Sequence, residues 1–128
     1  MKEDRDSFIE KLADNTPHEG QFDKLKEDPE LVDSAVEEFL RYESPLQHQI
    51  RIADEDLEIR GKTIKQGQRV VLMHGAANRD PEVFPNPDQL DICRNPNKHL
   101  AFGLGKHFCI GAPLARLEGH MVFTDILH

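Results

Sequence analysis

Cys109 is the residue of this chain best equipped to do chemistry. It lies in Phe102-Gly103-Leu104-Gly105-Lys106-His107-Phe108-Cys109-Ile110-Gly111, a glycine-studded loop just before an amphipathic stretch. A thiolate is both a nucleophile and a soft metal ligand. A lone thiolate in such a loop can ligate one metal centre from one side. Glycine lets the backbone come close to something flat or fold tightly around the sulfur. The free N–H groups and dipole of the helix start expected just after Cys109 favour a thiolate. The plain alternative is a buried structural thiol, the usual fate of a free cysteine. A zinc site is a second alternative: His99, His107 and Cys109 are ligands zinc accepts, with Cys93 or His74 as a fourth, although no standard zinc spacing is present.

Several elements must position this loop. Residues 30–43 carry the strongest helical pattern, with Leu31, Ala35, Phe39 and Tyr42 on one face, joined by Val32, Val36 and Leu40. Pro29 suits the first turn and Asp28 its cap; Ser44-Pro45 ends the helix, because the residue before proline is pushed out of the helical region. Glu38 and Arg41 are three apart and lie on neighbouring positions of one helix face. The plain alternative for them is a surface ion pair, worth little. Residues 46–74 read as short strands: 49–53, 57–60, 62–64 and 69–73. Asp54-Glu55-Asp56, Gly61 and Gln66-Gly67-Gln68 supply the turns, and the small spacing suggests a meander or a compact antiparallel sheet. Residues 75–99, rich in Pro, Asn and Asp, form a long irregular stretch, which usually has a function in a compact domain. Residues 112–127 are helical again, with Pro113 in the first turn and Leu114, Leu117, Met121 and Ile126 on one stripe. Residues 1–21 are weakly patterned, with helical spacing over 7–14 broken by Pro17 and Gly20.

Bulk composition narrows the function classes. The chain has 128 residues, enough for one modest core, with 38% hydrophobic and 31% charged residues. A net charge of −8 argues against nucleic acid as a partner. No apolar run reaches the length of a membrane span, and Met1-Lys2-Glu3-Asp4-Arg5-Asp6 is too charged for a signal peptide. The expectation is a cytoplasmic protein without a membrane partner. Its two cysteines, Cys93 and Cys109, form no disulfide framework in that compartment.

The pattern Phe-x-x-Gly-x-x-x-Cys-x-Gly, met here by Phe102, Gly105, Cys109 and Gly111, resembles the haem-ligand loop of cytochromes P450. Glu38-Phe39-Leu40-Arg41 precedes it in the order that family requires. Ala77-Asn78-Arg79-Asp80-Pro81 and Phe84-Pro85-Asn86-Pro87-Asp88 resemble the bacterial P450 segment before the loop. The resemblance runs from about Phe22 to the end and covers the last third or so of a P450. It implies an α+β, mainly α fold, the C-terminal part of the P450 fold: a Glu-x-x-Arg helix, a small antiparallel sheet, a meander loop over 75–99, a thiolate loop over 102–111 and a final helix.

The resemblance also implies roles. Cys109 would be the axial ligand of haem b iron, within a cofactor-binding set of Phe102, Gly103, His107, Cys109, Gly111 and Arg51. Arg51 and His107 would contact haem propionates, where a guanidinium matches a carboxylate with two parallel hydrogen bonds. For Arg51 and His107 the plain alternative is a solvated side chain. Glu38 and Arg41 would be structural, bracing the region beneath the haem. The family often carries an arginine after the last Pro-Asp of the meander; Gln89 stands there, followed by Leu90 where Phe is usual, and Arg79 or Arg94 is a substitute. The implied activity is monooxygenation of a small-molecule substrate with O₂ and electrons from a ferredoxin-type donor, which Lys106 and Arg116 could meet. The long central helix that covers the other haem face in the family has no counterpart: Asp14-Asn15-Thr16 abuts Pro17 and lacks the glycines. The alternative is therefore a truncated haem-binding module or pseudoenzyme without turnover. A missing N-terminal portion, a partner or an oligomer would complete the fold.

Overall fold

The computed structural model describes residues 20–127. The expected helical spacing of 7–14 and the Asp14-Asn15-Thr16 segment lie outside that range. Helix α1 (Gln21–Glu27) stops at Asp28, whose side chain accepts a hydrogen bond from the Glu30 amide at 3.2 Å and starts a 3₁₀ turn, Pro29–Leu31. Proline at this position loses no hydrogen bond, because the first N–H groups of a helix have no partner. The turn runs into α2 (Val32–Tyr42), which ends where the Glu43 amide bonds back to the Phe39 carbonyl.

Four strands follow: β1 (Gln49–Ile52), β2 (Leu57–Ile59), β3 (Lys62–Ile64) and β4 (Arg69–Leu72). They form two separate antiparallel pairs, β1 with β4 and β2 with β3, so the strands are nested rather than a meander. Two local features account for this. Arg60 and Gly61 both have positive φ (49° and 74°), as a two-residue hairpin turn of the right twist requires, and close β2 onto β3. Ala53 then donates to the Gln68 carbonyl at 3.0 Å and accepts from the Gly67 amide at 2.8 Å, which brings β4 back beside β1.

A single helical turn, α3 (His74–Ala77), leads into the irregular stretch through residue 99. The chain then forms the cysteine loop, with a 3₁₀ turn at Gly105–His107, and ends in α4 (Ala112–Leu127).

The core sits between α1, α2, α4 and the irregular stretch. Leu25, Val32, Ala35, Val36 and Ile92 are buried there, with Leu31, Phe39, Leu40, Phe123 and Leu127 packed against them. Each fully buried aliphatic side chain contributes about 1.5–3 kcal/mol. Helix α4 lies on α2 through the Phe39–Phe123 ring contact at 4.7 Å and through Gly119, where a Cβ would stand 3.0 Å from Val36. The stripe expected to organise α4 points elsewhere: Leu114, Leu117 and Met121 are all more than half exposed. Ile50, Ile52 and Val71 of the β1–β4 pair are equally uncovered.

Candidate haem-thiolate site

Glu38 and Arg41 form a buried ion pair, not a surface one. One helical turn brings them together, and both side chains are 0% exposed. Arg41 donates from Nε to Glu38 Oε2 at 2.8 Å and from Nη2 to Oε1 at 2.9 Å, the two-pronged geometry that a guanidinium fits best. Its remaining N–H groups reach the carbonyls of Asn78 and Pro87, both at 2.8 Å, and of Gln89 at 3.1 Å. Gln89 thus joins the cluster through its backbone. The third charged member is Arg94, whose Nε donates to both Glu38 oxygens at 3.1–3.2 Å. Arg79 lies outside the cluster, pairing with Asp88 at 3.0 Å and stacking on Tyr42. Burial pushes the Glu38 carboxyl up, but Arg41, the Asp91 amide and Arg94 outweigh it and hold the group below its ordinary range. The cluster pins the irregular stretch to α2, and the stretch leads directly into the cysteine loop.

Asn78, fully buried, makes a second tie that residue types alone did not single out. Its side chain donates to Ser44 Oγ at 2.7 Å and accepts from the Leu100 amide at 2.7 Å. It fastens the end of α3 to the entry of the loop.

The loop closes on itself. The Cys109 amide donates to the Phe102 carbonyl at 2.9 Å, and the Ala112 amide bonds back to the Cys109 carbonyl at 3.2 Å as α4 begins. Gly103 and Gly105 both take left-handed φ, 72° and 73°, which accounts for glycine at these positions. A Cβ on Gly111 would stand 3.7 Å from Cys109 Sγ. The thiol is free and exposed in this structure. The same loop exposes Leu104, Phe108 and Ile110 to 80%, 48% and 99%.

The remaining candidates are placed as follows. Phe102 is half-buried, its ring 6.3 Å from that of Phe108. His107 is exposed in the 3₁₀ turn. Arg51 is exposed on β1, with its guanidinium on Gln49 Oε1 at 3.1 Å. Lys106 is exposed, whereas Arg116 is engaged within the chain by Glu37. The zinc alternative finds no support, because among the described residues no three His, Cys, Asp or Glu side chains are grouped to hold a metal.

Glu37 gathers a further set that the residue spacing did not reveal. Arg116 donates to its two oxygens at 2.5 and 2.9 Å, and His99 Nε2 lies 3.0 Å from Oε2. The Ala101 amide donates to His99 Nδ1 at 3.2 Å, so the ring proton sits on Nε2 and His99 donates to Glu37 as a neutral imidazole. Burial lowers the basicity of His99, and Arg116, ahead of His99, holds the Glu37 carboxyl low against its own burial.

The loop offers one exposed thiol on a backbone closed by its own hydrogen bonds, together with exposed apolar side chains. Such a donor set fits a flat apolar group ligated from one side, as haem is, and does not fit a closed four-ligand metal site.

Comparison with known proteins gives the same class. The family model described as Cytochrome P450 matches residues 13–128, and the chain belongs to the cytochrome P450 family. It is similar to the biotin biosynthesis cytochrome P450 of Bacillus subtilis, with 54% identity over 86% of this chain and 28% of that protein. Among solved structures it is similar to P450BioI in complex with an acyl carrier protein ligated to hexadec-9Z-enoic acid (55% identity, TM-score 0.82, 84% of this chain, 28% of that one). It is also similar to CYP109E1 from Bacillus megaterium in complex with corticosterone (44% identity, TM-score 0.85, 93% of this chain, 31% of that one). The chain therefore spans under a third of the length of these relatives. Its helices and small antiparallel sheets are those of the C-terminal portion of the P450 fold. Membership in the family implies haem as the cofactor. No helix among the described residues is long and apolar enough to cross a membrane.

Proposed function

We propose that this chain is the haem-holding part of a P450-type monooxygenase, with Cys109 as the axial ligand of haem b. The observation that carries this is the exposed Cys109 thiol on a self-closed glycine loop that also exposes Leu104, Phe108 and Ile110. Phe102, Gly103 and Gly111 would shape the surface against the macrocycle, with the glycines admitting a close approach. Arg51 and His107 would turn to the propionates; Arg51 would do so by giving up exposed hydrogen bonds to Gln49 Oε1 and the Ile50 carbonyl. The Glu38–Arg41–Arg94 cluster would hold the meander beneath the site. A thiolate-ligated haem supplies the electron density that favours O–O cleavage.

The substrate would be a small organic molecule, with electrons delivered by a ferredoxin-type donor in the cytoplasm. The similar solved structures hold an acyl chain carried on a protein and a steroid, so this part of the fold leaves the substrate open. Lys106 remains the exposed cation of the loop for an acidic donor. The test is product formation by the haem-loaded chain with O₂ and a ferredoxin system supplied, over a panel of small organic substrates. Oxygenated product supports the monooxygenase reading. Haem retention with no product on any substrate overturns turnover by this chain and leaves the haem-binding module.

A further inference from the structure

Glu37 sits beside the Glu38 cluster in sequence but faces a different target. Its carboxylate takes hold of the cysteine loop at both ends: His99 stands just before the loop and Arg116 just after it. The His99 side chain is 3% exposed and Glu37 is 29% exposed, so the first contact is shielded from water. Arg116, fixed by Glu37, places its guanidinium 4.8 Å from the centre of the Phe102 ring. Phe102 is the residue whose carbonyl receives the Cys109 amide. The path from α2 to the sulfur-bearing residue is therefore continuous: Glu37, Arg116, Phe102, Cys109.

We infer that Glu37, His99 and Arg116 act as a clamp that sets the conformation of the cysteine loop, making them positioning residues for Cys109. The function of the clamp rests on the haem-thiolate reading, but its existence does not. A single carboxylate bridging the two ends fixes their separation. The neutral His99 adds directionality, because its Nδ1 takes up the Ala101 amide inside the loop entry. Arg116 adds a flat guanidinium against Phe102, which lysine cannot reproduce. The Asp33–His120 pair also ties α2 to α4, at 2.7 Å, but touches no loop residue and serves as the control.

The test reads amide hydrogen exchange by NMR in the haem-free full chain. In Glu37→Gln the Cys109 amide is expected to lose protection by about tenfold or more, as when a hydrogen bond to a charged group is removed. The amides of α2 and the Asp33→Asn control keep their protection. Arg116→Lys preserves the charge and is expected to produce a smaller loss at the same amide. Unchanged Cys109 protection in Glu37→Gln overturns the clamp. Loss of protection throughout α2 in both Glu37→Gln and Arg116→Lys overturns it too, by showing that the pair holds the whole fold. A spectroscopic readout follows: with haem added, Glu37→Gln is expected to show a smaller thiolate-type fraction in the reduced, CO-bound spectrum than the parent. An equal fraction in the two chains removes the positioning role. A parent chain with no thiolate-type spectrum at all would count against the haem reading and leave the exchange result to decide the clamp.

Discussion

Replacing Arg94 with alanine tests the buried cluster most sharply, because the sequence offers Arg79 as a rival. The Arg94 side chain is 8% exposed and faces a Glu38 carboxylate that is 0% exposed. Removing one partner of a buried ion pair costs about 3–5 kcal/mol when the other is left uncompensated. Glu38 is not left so: Arg41 stays at 2.8 and 2.9 Å and the Asp91 amide at 2.8 Å. The Pro85 carbonyl, which Arg94 also binds at 2.8 Å, loses its donor, while Gln89 keeps Arg41. The net cost of Arg94→Ala is therefore about 2–4 kcal/mol. Arg79→Ala breaks an ion pair to an Asp88 side chain that is 83% exposed, a hydrogen bond to the Tyr42 carbonyl at 3.0 Å and a stacking contact on the Tyr42 ring. That change costs about 1–2 kcal/mol. Urea unfolding of the two variants against the parent reads the difference directly, provided the slope stays constant. Arg79→Ala at least as destabilising as Arg94→Ala would refute the assignment of Arg94 to the cluster.

Three further outcomes follow from the same geometry. Stability is expected to fall as the pH falls. His99, depressed from its ordinary value of 6.5, opposes folding once the unfolded chain takes up a proton below that value. Glu37 and Glu38, depressed from 4.5, add their loss below that pH; urea midpoints flat from pH 7 to 4 would contradict this. Gly103→Ala places a side chain at φ 72° and is expected to cost about 1–2 kcal/mol, whereas Gly111→Ala, at negative φ with its Cβ in ordinary contact with Cys109 Sγ, costs less; equal urea midpoints would count against the loop geometry. Cys93→Ala is expected to leave haem binding unchanged, because Cys93 lies in the irregular stretch and not in the loop; loss of haem in this variant, read from the bound absorption, would relocate the ligand.

The legible parts of the molecule were those written in short range. The Phe102–Gly111 pattern and the Glu38–Arg41 spacing each lie within one turn or one loop, where residue type and interval determine geometry. Helix α4 was legible in extent but not in orientation. Its apolar stripe, Leu114, Leu117 and Met121, points away from the core, and Gly119 and Phe123 make the contact instead. Helical periodicity therefore overstates what α4 adds to the core, because an apolar stripe is not by itself a buried one. The nested strand order depended on two turns whose φ signs decide the pairing, and spacing alone did not resolve it. The Glu37 set is not legible locally for another reason. Its partners lie 62 and 79 residues away in sequence, and Arg94 meets Glu38 across 56. Adjacent residues on a helix point about 100° apart, so Glu37 and Glu38 serve two different segments. Nothing in the local pattern separates their roles.

The central claim is that Cys109 ligates haem iron. The most direct measurement is the reduced, CO-bound absorption spectrum of the haem-reconstituted chain, recorded beside Cys109→Ala. The account expects the strongly red-shifted Soret band of a thiolate opposite CO in the parent and its complete loss in Cys109→Ala. The same spectrum from both proteins would contradict it.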